Sequence, residues 1–260
     1  MSEKTKRHKK LSPISTMHLI KLIYRSGLFC AAVILYIINR INQTGSLFGG
    51  VENSPLILIL IWLVFVVEMI FRFFPSKIES MGCQKQFARN FRETNSTPPS
   101  PRTDKGVWAI ASVWIALNAA IGVLYYTHII DAGILLLISL AFSVCDMICI
   151  LFFCPFQTWF MKNKCCTSCR IYNWDYAMMF TPLIFVRNFF ALSIFLCALL
   201  LLIRWEITAY KHPERFSEQT NASLACQNCQ EKLCHHKKQL RRFLQDNKNK
   251  LQAKAKSYFE

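Results

Sequence analysis

Charged residues are scarce in this sequence, and acidic residues are the scarcest of them. Only 18% of the 260 residues are charged, with 15 Asp and Glu against 31 Lys and Arg, while 53% are hydrophobic. Disordered chains and purely nucleic-acid-binding chains lack apolar side chains, so this balance excludes both classes. A glycine-rich phosphate loop and a serine-nucleophile elbow are also missing, so neither motif indicates a reaction.

Long apolar runs are what the sequence has instead. About 20 apolar residues are needed to cross ~30 Å of hydrocarbon as a helix. Four runs reach this length, and a fifth is weaker because Lys21 and Arg25 interrupt its first half. The clear runs cover residues 56–74, 107–130, 132–154 and 176–203, and the weaker run covers residues 18–38. We therefore predict an all-α polytopic transmembrane helical bundle of about five spans. We expect the first helix to be retained and the protein to lie in the plasma membrane.

Polar segments divide the chain between these runs. A basic leader, residues 1–17, precedes the first two membrane helices, residues 18–74. A polar linker that contains a Thr-Pro-Pro-Ser-Pro run covers residues 75–106. A three-helix membrane region at 107–203 and an aqueous tail at 204–260 complete the predicted organisation.

The tail is basic and has helical periodicity. Its leucines recur at intervals of 7, 4 and 7 residues, at Leu233, Leu240, Leu244 and Leu251. This spacing predicts a basic amphipathic helix, which would bind acidic lipid headgroups or an acidic protein partner in addition to the bilayer contact of the spans. Nucleic acid is not an expected partner, because nothing beyond charge supports it.

The distribution of positive charge gives two topologies. Lys and Arg in short loops stay on the cytoplasmic side, but a five-span chain with its leader inside has 14 of them inside and 13 outside. Long tails are translocated largely independently of their charge, so the positive charges of the leader and linker carry more weight. They predict that the leader and linker are inside and that the tail is outside. If residues 176–203 instead form a re-entrant hairpin bent near Pro182, Arg187 and Asn188, only Arg40 is outside.

Three charged residues in the spans are predicted to share one layer of the membrane. Glu68, Asp146 and Arg187 each lie about three residues from the midpoint of their run, towards the same side. Because a charge within a span costs ~3 kcal/mol on insertion scales, we expect these side chains to face partners or a cavity. The layer would be either a structural ion pair or an ion or proton path. Arg72, one turn beyond Glu68, is an alternative partner for that carboxylate.

Cysteines form two clusters on either side of the last run. The first is Cys165-Cys166-Thr167-Ser168-Cys169, and the second is Cys226-Gln227-Asn228-Cys229 followed by Cys234-His235-His236. A CxxC motif places two sulfurs where they chelate one ion or exchange as a dithiol. Two such motifs, one with nearby histidines, favour metal or redox chemistry.

The topology decides how these ligands combine. With one span between the clusters, the second cluster forms either a Cys3His-type site of its own or a disulfide outside the cell, and the first cluster forms an incomplete site on the other side. The ligands of the Cys3His-type site would be Cys226, Cys229, Cys234 and His235 or His236, and those of the incomplete site Cys165, Cys166 and Cys169. With a re-entrant hairpin, thiolates from both clusters would share one zinc ion or one iron–sulfur cluster, namely Cys166, Cys169, Cys226 and Cys229.

The sequence therefore leads to three functional hypotheses. The first is a membrane protein with a thiolate metal site near the bilayer surface, for electron transfer or metal handling. The second is a small transporter or channel that uses the layer of Glu68, Asp146 and Arg187, with purely structural cysteines. The third is a thiol–disulfide oxidoreductase that uses Cys166 with Cys169.

Overall fold

The computed structural model describes residues 13–42, 47–48, 50, 54–76, 81–94, 105–161 and 169–228. Its α-helices are α1 (Pro13–Asn42), α2 (Pro55–Phe73), α3 (Met81–Gln84), α4 (Lys105–Tyr126), α5 (Ala132–Leu151), α6 (Asp175–Phe180) and α7 (Phe189–Lys211). Five of them, α1, α2, α4, α5 and α7, are long and apolar enough to cross a membrane. The predicted polytopic helical bundle is thus confirmed, and the chain is a multi-pass membrane protein.

Local sequence signals fix where several of these helices begin. α2 starts with Pro55, whose fixed φ and missing N–H suit the first position of a helix. The Asp131 side chain caps α5 by accepting a hydrogen bond of 2.9 Å from the backbone N–H of Ile134. Asn188 caps α7 in the same way, through a bond of 2.8 Å from the N–H of Phe190. These caps satisfy backbone donors that have no partner within the helix.

The run at residues 176–203 is not the single helix that its hydropathy predicts. α6 ends at Phe180, a 3-10 turn covers Thr181–Phe185, and α7 begins only at Phe189 and continues to Lys211. Pro182 has no N–H to donate to a continuing α-helix, and the Asn188 cap starts a new one. The prediction of one span over this run is therefore wrong.

The chain that leads into α7, residues 171–188, lies alongside most of α4, and we call it the broken segment. Ile171 shares a buried apolar cluster with Ile110, near the start of α4. The indole N–H of Trp114 then donates to the hydroxyl of Thr181 over 3.4 Å. Near the end of α4 the Phe185 ring lies so close to Gly122 that a Cβ there would be 2.6 Å from its Cζ. The segment thus reaches the opposite end of the bundle before α7 begins.

α7 returns to the end of the bundle from which this segment started. Its first half contacts α2, where the Trp62 indole donates to the Ser193 hydroxyl over 2.8 Å. Its second half meets the linker, where the ring centroids of Trp205 and Phe87 are 5.0 Å apart. The C-terminal ends of α2 and α7 and the start of α4 lie at the same end of the bundle. We call this end the near face.

The start of the tail packs directly on the described part of the linker at the near face. The Asn221 amide donates to the Lys85 carbonyl over 3.0 Å, and the backbone N–H of Ala222 donates to the Arg92 carbonyl over 2.8 Å. The Ser223 hydroxyl adds a bond of 2.7 Å to the Asn90 carbonyl. Linker and tail therefore lie on the same side, and the prediction that the tail is opposite the linker is wrong.

The first helix also starts at the near face. Leu22 packs against the buried cluster of Met147 and Ile150 near the end of α5, whereas the Tyr36 hydroxyl donates to Asp131 at the start of α5 over 2.9 Å. Thus the start of α1, the described part of the linker and the start of the tail lie at the same end of the bundle, which is the grouping that the re-entrant alternative predicts. The positive-inside rule then predicts that the near face is cytoplasmic.

Candidate functional site

An ionic cluster is buried between α1, α2, α5 and α6 in the half of the bundle next to the near face. At its centre Arg25, 1% exposed, donates from Nη2 to Glu68 Oε2 at 2.6 Å and from Nη1 to Asp146 Oδ2 at 3.2 Å. The same Nη1 reaches the Ser143 carbonyl at 3.2 Å. One guanidinium thus joins carboxylates from two different helices, which its planar fork of donors permits.

Glu68 is bound by three further donors. The Tyr176 hydroxyl donates to Oε2 over 2.9 Å, and the Tyr24 hydroxyl donates to Oε1. The Lys21 ammonium lies 3.4 Å from Oε1. A buried carboxylate is costly unless it is paired and hydrogen bonded, and here it is both. The arrangement holds α1, α2 and α6 in one register.

A second ion pair lies one helical turn closer to the near face. Arg72 Nη2 is 2.7 Å from Asp175 Oδ2, with side chains only 3% and 7% exposed. The Arg72 guanidinium also lies over the rings of Tyr172 and Tyr176, at 5.5 and 5.2 Å from their centroids. Such cation–π contacts add to the ion pair where water is excluded. This pair fixes the start of α6 against the end of α2.

The cluster has balanced charge and a histidine beside it. Its three cations, Lys21, Arg25 and Arg72, match its three anions, Glu68, Asp146 and Asp175. His18, 1% exposed, lies within electrostatic range of Arg72 and Glu68, and neither of its ring nitrogens has a hydrogen-bond partner in the described part of the chain. Unpartnered buried polar atoms are rare and are typical of functional positions.

The structure brings together two of the three residues predicted for the intramembrane layer. Glu68 and Asp146 meet through Arg25. Arg187 does not belong to the layer, and this assignment is corrected: it lies exposed in the break between the 3-10 turn and α7. The break carries it to the end of the bundle opposite the near face, so the depth counted for a continuous helix does not apply.

Sequence reasoning missed the central cation because Lys21 and Arg25 were taken as interruptions of a span. Their spacing indicates a shared polar face: His18, Lys21 and Arg25 are three and four residues apart, so they lie on one side of α1. The expected alternative pairing of Arg72 with Glu68 is replaced by the pair with Asp175. Hydropathy does not single out Asp175, because this residue lies just before the apolar run at residues 176–203.

The near face has a cap built from the linker, the end of the cysteine loop and the start of the tail. Arg170 and Glu206 form a bidentate ion pair at 2.7 and 2.6 Å, and the Trp174 indole also donates to Glu206 over 2.6 Å. Buried Asn173 donates to Gln86 of the linker over 2.7 Å. The cap therefore ties the segment after Cys169 to the linker and to α7.

Two of the seven predicted metal ligands lie within the described residues. Cys169 is buried beside Ile110 and Ile171, and Cys226 is exposed. Cys165, Cys166, Cys229, Cys234 and His235 lie outside the described residues. Among the residues that are described, no three His, Cys, Asp or Glu side chains are grouped so that they could hold a metal ion.

No family model, curated protein or solved structure matches this chain. Its function must therefore be inferred from the geometry of its own residues.

Proposed function

We propose that this membrane protein carries a thiolate metal site in its near-face cap, with ligands from both cysteine clusters. The ligand set is Cys166, Cys169, Cys226 and Cys229, with Cys165, Cys234 and His235 in reserve. Four thiolates suit a tetrahedral zinc ion or an iron–sulfur cluster. The function would be electron transfer or metal handling at the cytoplasmic surface of the plasma membrane.

One observation carries this proposal: the chain segments that lead to both clusters bind neighbouring residues of the linker. Asn173, four residues after Cys169, binds Gln86, and Asn221, five residues before Cys226, binds Lys85. These bonds lie at the same end of the bundle and close to Cys169 and Cys226, the described members of the two clusters, which supports a site shared between the clusters. The basic residues Lys162 and Lys164, which precede the first cluster in the sequence, favour thiolate over thiol.

Metal content of the full-length protein, purified without oxygen, tests the proposal. We expect one equivalent of zinc, or the absorption bands of an iron–sulfur cluster, in the native protein. Cys169→Ser and Cys226→Ser should each lose the whole equivalent, because a tetrahedral zinc site or an iron–sulfur cluster of this kind is held by all four thiolates. Cys30→Ser is the matched control, since Cys30 is exposed on the outer surface of α1, and it should keep its metal.

The other outcomes are equally informative. If each variant loses only half of the metal, the two clusters bind separate ions and the shared site is wrong. If native protein contains neither zinc nor iron after anaerobic purification and reconstitution with either metal, the proposed function is wrong.

The ionic cluster favours a second candidate function, a proton path through the bundle. Buried ionisable residues inside a helical bundle mark proton or ion paths in membrane proteins, and the carboxylates of Glu68 and Asp146 are the groups that would accept a proton here. In proteoliposomes with an internal pH-sensitive dye, an external acid step should acidify the interior. Asp146→Asn should remove this flux while leaving the metal content unchanged, because it keeps the shape of the side chain. Flux equal to that of empty liposomes would exclude the proton path.

A further inference from the structure

Arg204, near the end of α7, differs from the other partly or fully buried arginines that the structure describes. Each of those arginines forms an ion pair with a carboxylate. The shortest N–O distances are 2.6 Å for Arg25, 2.7 Å for Arg72, 2.6 Å for Arg170 and 3.9 Å for Arg215. The guanidinium of Arg204 is partly exposed and has no carboxylate or hydrogen-bond partner among the described residues.

Aromatic rings hold the Arg204 guanidinium in place. Its Cζ lies 5.5 Å from the ring centroid of Phe73, the last residue of α2, and 5.7 Å from that of Phe87 in the linker. These cation–π contacts position the cation but do not accept its N–H groups as an oxygen would. Glu206, the acidic residue of α7, is already paired with Arg170 through both of its oxygens. The N–H donors of Arg204 are therefore available to an anion that the described chain does not supply.

Arg204 lies at the level where the spans meet the near-face cap. Its neighbour Ile203 is exposed on the outer surface of the bundle, as lipid-facing residues are. Its other neighbour, Trp205, is buried against Phe87 of the linker and Phe216 of the tail, with ring centroids 5.0 and 6.2 Å away. One side of Arg204 thus faces lipid and the other side faces the cap, which is the position of a lipid headgroup.

A lipid phosphate suits the chemistry of this position. The planar guanidinium presents N–H donors in a fork that matches phosphate oxygens, and such bonds are charge-assisted. Exposed Lys211 is seven residues further along α7, on the same side of the helix, and adds a second positive charge towards the water. Two cations favour a headgroup of net negative charge. Anionic lipids are concentrated in the cytoplasmic leaflet, to which the positive-inside rule assigns the near face.

We propose that Arg204 binds the phosphate of an anionic phospholipid in the leaflet at the near face. The headgroup lies between the end of α2, the linker and α7, where the rings of Phe73 and Phe87 orient the guanidinium. The lipid thereby joins the spans to the base of the cap. This site shares no residue with the proposed metal site or the ionic cluster. It is also separate from the predicted lipid contact of the tail helix, which lies outside the described residues.

Lipid retention by the full-length protein tests the proposal. The protein is reconstituted in vesicles of phosphatidylcholine and phosphatidylserine, extracted in mild detergent and washed at high salt, which screens exposed charges. Mass spectrometry then counts the lipids that stay bound to each chain. We expect the native protein to retain phosphatidylserine in excess of its share of the vesicles. Arg204→Gln should lower this excess at least about tenfold, because it removes a charge-assisted hydrogen-bonded pair. Arg92→Gln, the same change at an exposed position of the linker, should retain as much as the native protein.

A conservative variant separates the loss of the ligand from a loss of fold. Arg204→Lys keeps the charge but not the planar fork, so it should retain less phosphatidylserine than the native protein and more than Arg204→Gln. If either variant of Arg204 retains as much as the native protein, the proposal is wrong. It is also wrong if Arg92→Gln loses as much as Arg204→Gln, or if native protein retains the two lipids in the proportion supplied. Arg204→Gln should leave the metal content unchanged, so the two proposals fail independently.

Discussion

Arg25→Leu is expected to prevent the protein from accumulating in its folded form. The substitution leaves the Glu68 and Asp146 carboxylates buried without the guanidinium that now lies 2.6 and 3.2 Å from them. Removing one partner of a buried ion pair costs about 3–5 kcal/mol, and here two carboxylates depend on the same cation. The measurement is the yield of monodisperse protein in mild detergent, followed by its resistance to unfolding in a denaturing detergent.

Two further variants decide whether this loss is electrostatic. Arg187→Leu removes the same charge from an exposed site in the broken segment and should be folded as well as the native protein. Arg25→Leu combined with Glu68→Gln and Asp146→Asn removes the unpaired charges and should recover much of the stability. If Arg25→Leu alone is as stable as Arg187→Leu, the ionic cluster does not hold the bundle together.

The long spans could be predicted from hydropathy because their composition leaves no other fold. The break in residues 176–203 could not, because the side chains on both sides of it are apolar and hydropathy does not detect backbone geometry. Its signals are local: Pro182 removes a hydrogen-bond donor, and Asn188 supplies a helix cap near the middle of the run. Either signal alone is tolerated within a membrane helix. Their combination, with Arg187 between them, ends one helix and starts the next.

The ionic cluster could also be predicted only in part from the sequence. Counting depth along each helix placed Glu68 and Asp146 in one layer correctly, since α2 and α5 are continuous. The same count failed for Arg187, because it assumed a helix that the chain does not form. Depth also says nothing about which helices are neighbours, so the contact of α1 with α5 that brings in Arg25 could not be derived.

Topology links the broken segment to the proposed metal site. An odd number of crossings would separate the linker from the tail, whereas the path of the chain along α4 and back through α7 returns the tail to the linker. The Asn221 and Ala222 bonds to the linker require this return, since no hydrogen bond can form across a bilayer. A shared thiolate site therefore depends on the break near Pro182, although no cysteine lies within it.

Labelling in sealed vesicles with a membrane-impermeant thiol reagent is expected to place the linker and the tail on one side. The positions are exposed basic residues, so each receives the same change: Arg89→Cys in the linker, Lys211→Cys at the end of α7 and Arg40→Cys at the end of α1. Peptide mass spectrometry identifies the labelled position despite the native cysteines. Arg89→Cys and Lys211→Cys should be labelled from the same side of the membrane, and Arg40→Cys only from the other.

Labelling of each position is all-or-none, because a charged reagent does not cross an intact bilayer. Vesicles opened with detergent are the control, and all three positions should react in them. Opposite accessibility of Arg89→Cys and Lys211→Cys would mean that residues 176–203 cross the bilayer once. The contacts of the tail with the linker would then be impossible, and the two cysteine clusters would face different compartments. Matching accessibility leaves the clusters on one side, where four thiolates can bind one metal centre.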